Sequence, residues 1–286
     1  TLQQMGIEVL YGQEYLTGIW DWLVKNGKDI HVAYLNRPHI ATKYVDFIKE
    51  HTDIKMIYYG HDLHFMREFR EYELTGDVKK RQESEYWKSI EFSLFHKVAV
   101  SYYPSYVEEE AIHAVDETIP VKAITAYVYE EFLQNLNKDF AKREGLLFVG
   151  GFAHPPNADA VLWFAKEVFP KIREQIKVNF YIVGSKVTDE IKALEQPGNG
   201  IIVKGFVSEE ELADLYRNCR IVVVPLRYGA GVKGKVVEAI YNGAPIVTPS
   251  VGSEGIPDVE KVLLVKDQPD EFAETVVELY KDEKRL

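Results

Sequence analysis

The chain has 286 residues, 46% of them hydrophobic and 28% charged, so it can bury one large core or two ordinary ones, and its length favours two domains. Its 34 basic against 45 acidic side chains give a net charge of −11, which argues against nucleic acid as a partner because that backbone needs basic residues to neutralise it. A single cysteine excludes an intrachain disulfide and points to a cytoplasmic chain, and no run approaches the roughly 18 apolar residues of a membrane span.

In chain order, residues 30–35 (IHVAYL) predict a strand, 43–50 a helix, and 54–59 (IKMIYY) a strand ending in Gly60-His61-Asp62. Residues 79–95 predict a long charged helix, 97–101 a strand, 106–115 a helix and 120–124 another strand. A self-sufficient nucleotide-type fold usually has more strands than this half offers. Together with Thr1 in place of an initiator methionine, this predicts a truncated N-terminal domain and a longer natural chain. The opening TLQQMGIEVL lacks the basic-then-apolar order of a signal peptide. The polar stretch 135–144 (NLNKDFAKRE) predicts the linker, so the domains are read as 1–143 and 144–286.

The second half alternates more sharply. Strands are predicted at 145–149, 178–183, 201–203, 221–225, 245–248 and 262–265. Helices are predicted at 158–172, at 209–218 with Ser208 as N-cap, at 235–242 with Gly243 as stop, and at 270–281. A short helix follows Gly184, and Cys219 reads as a small buried hydrophobe. The alternation predicts an α/β chain of two Rossmann-like domains. Ligands of such sheets bind outside the carboxyl ends of the strands, at the loops after Val149, Val183, Val224 and Thr248.

The segment most informative for chemistry is PLRYGAGVKGKVVE, residues 225–238, which leaves a buried strand and opens a helix. Gly229, Gly231 and Gly234 let backbone approach a ligand, and the N–H groups of the helix start favour an anion such as a diphosphate. Lys233 and Lys235 add positive charge, with Arg227 just before the loop. Glu238, one turn after Lys235, can accept both hydroxyls of a ribose. A plain glycine turn with solvated lysines is the bland alternative. Neither a GxxxxGK[ST] nor a strand-borne GxGxxG order is present.

From about residue 146 onward the chain resembles the C-terminal domain of the two-domain GT-B glycosyltransferases, specifically retaining family 4. The resemblance rests on FVGGFAHPPN (148–157), YIVG (181–184), the long block from VKGFVSEEE through VVVPLRYGAGVKGKVVEAIYNGAPIVTPSVGSEGI (203–256), and the closing LLVKDQPDEFAETVVEL. IYYGHDLHFMRE (57–68) and KVAVSYYPSYVEEE (97–110) resemble that family's N-terminal domain less sharply. The resemblance implies that Glu238 is the second glutamate of the family's pair and holds the donor ribose. It implies diphosphate contacts from Lys235 and Arg227, with Gly151, His154 and Gly231 beside them. Gly205, Phe206 and Val207 would face the nucleobase, and Ser253, Glu254 and Gly255 would lie near the phosphates. The family's first glutamate, eight residues before Glu238, falls here at Ala230, which puts the sugar and the activity in doubt. Some relatives share this glycine-rich loop with its lysine before the glutamate.

His61, Asp62, His64 and Arg67 form the densest polar cluster of the first half. Three readings are open for them: facing acceptor and sugar across a cleft, with His61 and Asp62 catalytic; capping a polar strand end; or, for HDLH, sharing a metal. Glu91 lies on the buried side of the 79–95 helix. The resemblance implies metal-independent, retaining transfer from a UDP- or GDP-sugar, with Lys235 stabilising the leaving group and no cofactor besides the donor. The acceptor would be a glycan, lipid-linked or protein group, in the setting of polysaccharide assembly and compatible with peripheral membrane association. A non-catalytic donor-binding or scaffold module and a GT-B epimerase are the rivals.

Overall fold

The computed structural model describes residues 2–286 except 130, 132, 134, 135, 137 and 138. The chain divides into two compact units. One comprises Thr1–Phe65 and Gln82–Ile124, the other Met66–Arg81 and Thr125–Leu286. The single cut at 143/144 read from the sequence thus differs from this division in two places. Met66–Arg81 groups with the later unit, and so does the stretch that follows Ile124. Asn135, Asn137 and Lys138 of the expected linker lie outside the described residues. Its last residues pack: Arg143 is buried with its guanidinium 4.4 Å from the Phe140 ring centre.

The first unit holds a four-stranded parallel sheet in the order β1 (Val32–Asn36), β2 (Lys55–Tyr59), β3 (Val100–Tyr103), β4 (Val121–Ala123). Five helices accompany these strands in the chain: α1 (Gln13–Asn26), α2 (Pro38–His51), α3 (His64–Thr75), α4 (Val78–Phe95) and α5 (Tyr106–His113). α2, α4, α5 and all four strands lie where the sequence predicts them, within a few residues. α1 and α3 were not anticipated. α1 carries Leu16, Ile19, Trp20 and Leu23 at helical spacing, and Trp20 packs against Tyr44 and Phe47 of α2, with ring centres 5.3 and 4.7 Å apart. α3 takes its N-terminal cap from distant sequence: the fully buried Glu91 accepts the backbone N–H groups of His64 at 2.9 Å and Phe65 at 3.1 Å. Replacing Glu91 by alanine orphans both donors in the core. A loss of about 3 kcal/mol in the urea-unfolding free energy is expected, less for glutamine, which keeps one acceptor oxygen.

The second unit is a six-stranded parallel sheet. In chain order it contains β5 (Leu146–Val149), α6 (Pro155–Trp163), α7 (Phe169–Arg173), β6 (Phe180–Val183), α8 (Asp189–Lys192), β7 (Ile201–Gly205), α9 (Glu209–Asn218) and β8 (Ile221–Val223). α10 (Gly234–Tyr241), β9 (Ile246–Thr248), α11 (Ser250–Ser253), α12 (Val259–Val262), β10 (Leu264–Val265) and α13 (Pro269–Lys281) complete it. Spatially the strands run β10-β9-β8-β5-β6-β7.

The single helix expected over 158–172 is instead α6 and α7 joined by a π-turn, Phe164–Val168. Pro170 explains the change: it offers no N–H, and its ring would crowd the carbonyl four residues back in a regular α-helix. Ser208 caps α9 by accepting the Glu211 N–H at 3.1 Å, and Gly243 closes α10 with φ of +62°, both as expected. The core is built from the inward faces of the strands and an aromatic cluster of Phe148, Phe164, Phe169, Phe180 and Phe272. Cys219 is buried in it, and burial pushes its thiol up to about 12.

Candidate functional site

The strand order of the second unit reverses at one place. From β5 the chain winds outward to β6 and β7, and from β8 it winds the other way to β9 and β10, while β5 and β8 pair directly. Helices leaving to opposite faces open a crevice between the carboxyl ends of such a strand pair, and this is where open α/β sheets hold ligands. The loops that meet there are Gly150–Gly151 after β5 and residues 224–233 after β8.

Lys235 organises this place. From the first turn of α10 its side chain turns back under the β5 loop, with Nζ 4.6 Å from the Phe148 ring centre. Nζ donates to Asn157 Oδ1, and Asn157 Nδ2 donates onward to the Gly151 carbonyl at 2.7 Å. A Cβ at position 150 would stand 2.8 Å from that Nζ, so Gly150 is what lets the ammonium sit there. Burial, with Lys233 as a second and lesser cause, pushes the Lys235 pKa down to about 7. An anion at the crevice would reverse that pressure.

Glu238 follows on the same helix and receives the Tyr216 hydroxyl at 3.2 Å. Burial raises its pKa and the Tyr216 hydrogen bond opposes that rise. The buried Tyr216 phenol is raised by burial and by Glu238 itself. At the amino end of α10 the Tyr127 ring lies against Gly234, where a Cβ would meet its hydroxyl oxygen at 2.6 Å. Tyr129 stacks on Tyr241 farther along, with centroids 3.8 Å apart.

The other residues singled out in the sequence fall into three groups. Gly151, His154 and Gly231 lie in the loops just described, with His154 exposed at the cap position of α6. Gly205 (φ +69°) ends β7 and Phe206 and Val207 follow it, and Phe206 is 80% exposed, a ring face available for stacking. Ser253 and Glu254 end α11 after β9. Ser253 Oγ donates to the Ser250 carbonyl at 3.0 Å, whereas Glu254 is drawn into ion pairs with Arg70 and Lys233. Arg227 is turned to Asp159 of α6, with Nε donating to Oδ2 at 2.9 Å, and lies over the Trp163 ring. The cations clustered around the glycine loop are therefore Lys233, Lys235 and Arg70. Sequence reading missed Arg70, because nothing in FREYE marks it as belonging to the later unit.

In the first unit, His61 and Asp62 follow the carboxyl end of β2. His61 Nε2 is 2.7 Å from Asn36 Oδ1 at the end of β1, and burial, then Arg37, lowers its pKa. Arg37 holds φ of +62°, a sparsely populated conformation for a non-glycine residue. His64 points elsewhere, stacked on Trp87 with Nδ1 3.3 Å from Glu91 Oε1, so the two histidines do not share a ligand set. Arg67 pairs with Glu68 at 3.1 Å. Among the described residues no three His, Cys, Asp or Glu side chains converge as a metal set, and no helix is long and apolar enough to cross a membrane. A cavity of about 510 Å³ opens at the amino ends of β9 and β10, lined by Gly243, Pro245, Leu263 and Leu286 among others. It lies at the end of the strands away from the crevice and gathers none of the groups above.

The second unit's reversed parallel sheet, with a cationic glycine loop at its switch point, is a Rossmann-like arrangement, and the fold matches that of solved GT-B glycosyltransferases. Residues 143–282 match the family model Glycosyl transferases group 1. A curated relative from Klebsiella pneumoniae, described as an uncharacterized 44.6 kDa protein in cps region, is 32% identical over 136 residues, 45% of this chain. The match spans 33% of that relative's length. Among solved structures, sucrose-phosphate synthase from Thermosynechococcus elongatus superposes with a TM-score of 0.72 at 15% identity, covering 97% of this chain and 72% of that one. Anabaena HepE in complex with UDP and glucose gives 0.68 at 14%, covering 99% and 79%. The pneumococcal O-GlcNAc transferase GtfA, in complex with UDP and GlcNAc, gives 0.61 at 18%, covering 98% and 55%.

Proposed function

We propose that this chain is the donor-binding and catalytic part of a glycosyltransferase that moves a sugar from a nucleoside-diphosphate sugar, UDP-linked first among the candidates, to a glycan, lipid-linked or protein acceptor. The observation that carries this reading is Lys235, whose half-buried amine lies under the glycine turn at the switch point, beside the amino end of α10. As the glycosidic bond breaks, negative charge gathers on the departing diphosphate. A lysine held in place that takes a proton as the diphosphate binds, together with helix N–H groups, stabilises that charge with no divalent metal required. Glu238, one turn on, is suited to the ribose hydroxyls, and Phe206 to the base. The match of residues 143–282 to the family model supports retention of the anomeric configuration, and His61 and Asp62 are the catalytic candidates of the first unit. The UDP bound in HepE and GtfA supports uridine as the base. A non-catalytic donor-binding module is the second reading, favoured by Ala230 in the loop.

Calorimetric titration with UDP, GDP and their sugar conjugates tests the reading. One nucleotide should bind selectively, and both Lys235→Ala and Glu238→Ala should weaken it by about tenfold or more, near 1.4 kcal/mol each. Absence of binding by every nucleotide would remove the donor site, and binding with no turnover over a panel of acceptors would favour the module.

A further inference from the structure

Arg70 of α3 belongs by its contacts to the second unit. Neighbouring charges on its own helix are satisfied without it. Glu68 is taken by Arg67 at 3.1 Å and by Lys80 at 2.9 Å, and Lys80 also reaches Glu71 at 3.3 Å. Arg70 is instead directed at two loops of the sheet. Its guanidinium grips Glu254 in a two-pronged pair, Nη1 to Oε2 at 2.8 Å and Nη2 to Oε1 at 2.6 Å, and Nη1 also donates to the Gly229 carbonyl at 2.6 Å. Glu254 in turn lies 3.6 Å from Lys233 Nζ, which donates to the Gly231 carbonyl. The group is well buried, with side-chain exposures of 27% for Arg70, 13% for Glu254 and 9% for Lys233. Tyr228 is nearly fully buried next to it, and its phenol is raised first by burial and then by Glu71 and Asp159.

We infer that Arg70 is a positioning residue of the donor site: it clamps the loop after β8 to the loop after β9, so that the glycine-rich loop presents its N–H groups to a diphosphate. This rests on the donor reading above. A loop with glycines at 229 and 231 has many backbone conformations, and two cations remove that freedom by holding one carbonyl each. Because a trans peptide is planar, fixing the Gly229 and Gly231 carbonyls toward the cations turns the following N–H groups, of Ala230 and Val232, the opposite way. A lysine at 70 would keep the charge but lose the fork that spans both loops.

The test compares wild type, Arg70→Met and Arg70→Lys in the intact chain by hydrogen–deuterium exchange without ligand and by calorimetry with UDP and inorganic pyrophosphate. Arg70→Met should speed exchange in peptides covering residues 226–241 by about tenfold, leave α13 peptides unchanged and weaken UDP and pyrophosphate alike by about tenfold or more. Arg70→Lys should recover part of each. Unchanged exchange in that loop overturns the clamp. A loosened loop with UDP affinity within about twofold of wild type overturns the positioning role, and a rise that includes α13 reduces Arg70 to a stability residue. Should wild type bind neither UDP nor pyrophosphate, the donor reading fails and takes the donor role of Arg70 with it. That case is recognised because loop exchange still reports the clamp by itself.

Discussion

Binding of UDP at pH 8 is expected to take up about one proton per nucleotide, and Lys235→Met is expected to abolish the uptake. The free protein holds Lys235 with a pKa of about 7, so at pH 8 most of the population is neutral there. A diphosphate is fully ionised at that pH and favours the ammonium, so it draws a proton onto Nζ as it binds. Affinity should therefore fall as pH rises from about 7 toward the ordinary lysine value of about 10.4. Titrations in HEPES and in Tris, whose ionisation heats differ, read the uptake directly. Equal heats in both buffers at pH 8 would mean that Lys235 does not meet the diphosphate.

The same shift has a consequence for the unliganded fold. The folded-state pKa is depressed, so between about pH 7 and about 10.4 the unfolded chain binds the extra proton. Stability from this group is fully present above that window and is lost as pH falls through about 7. Relative to Lys235→Met, wild type should gain unfolding free energy as pH rises from 7 to 10. The lysine is thus kept at some cost to the free protein, which is the usual mark of a binding group rather than a structural one.

The second unit was legible because its signals are local. Apolar strands such as Ile221–Val223 and the glycines at the ends of β5, β6 and β7 fix element type and order without knowledge of the rest of the chain. Placement of Lys235 and Glu238 on the first turns of α10 followed from the loop alone, since strand, glycine loop and helix are contiguous. What escaped depends on residues far apart in sequence. The start of α3 is capped from Glu91, 27 positions away, and Arg70 finds Glu254 across 184 positions. Arg227 is tied to Asp159 on α6, 68 residues back, a partner that its position beside the loop did not reveal. The π-turn at Phe164–Val168 had a visible cause in Pro170, overlooked because apolar residues continue at helical spacing through it.

Gly184→Ala is expected to be among the most damaging single substitutions in the second unit, with a loss of about 3 kcal/mol or more and a fall in Tm of roughly 6–12 °C. The residue closes β6, and its backbone passes the β5 loop so closely that a Cβ there would stand 1.9 Å from the Gly150 carbonyl oxygen and 2.7 Å from its carbon. Neither neighbour is a side chain that can rotate away. Relief requires the Gly150–Gly151 turn to move, and this turn is the roof over Lys235 and the acceptor for Asn157. Nucleotide affinity should therefore drop with stability. Gly198→Ala supplies the comparison, since Gly198 has φ of +78° with nothing within 4 Å of the added methyl group. Only backbone strain is charged there, about 1 kcal/mol, and UDP affinity should be unchanged. If both alanine variants lose stability equally and both still bind, the close approach of β6 to the β5 loop is not what shapes the crevice. If Gly184→Ala alone loses binding while most of the chain remains folded, the contact between the two strand ends is part of how the sheet holds its ligand.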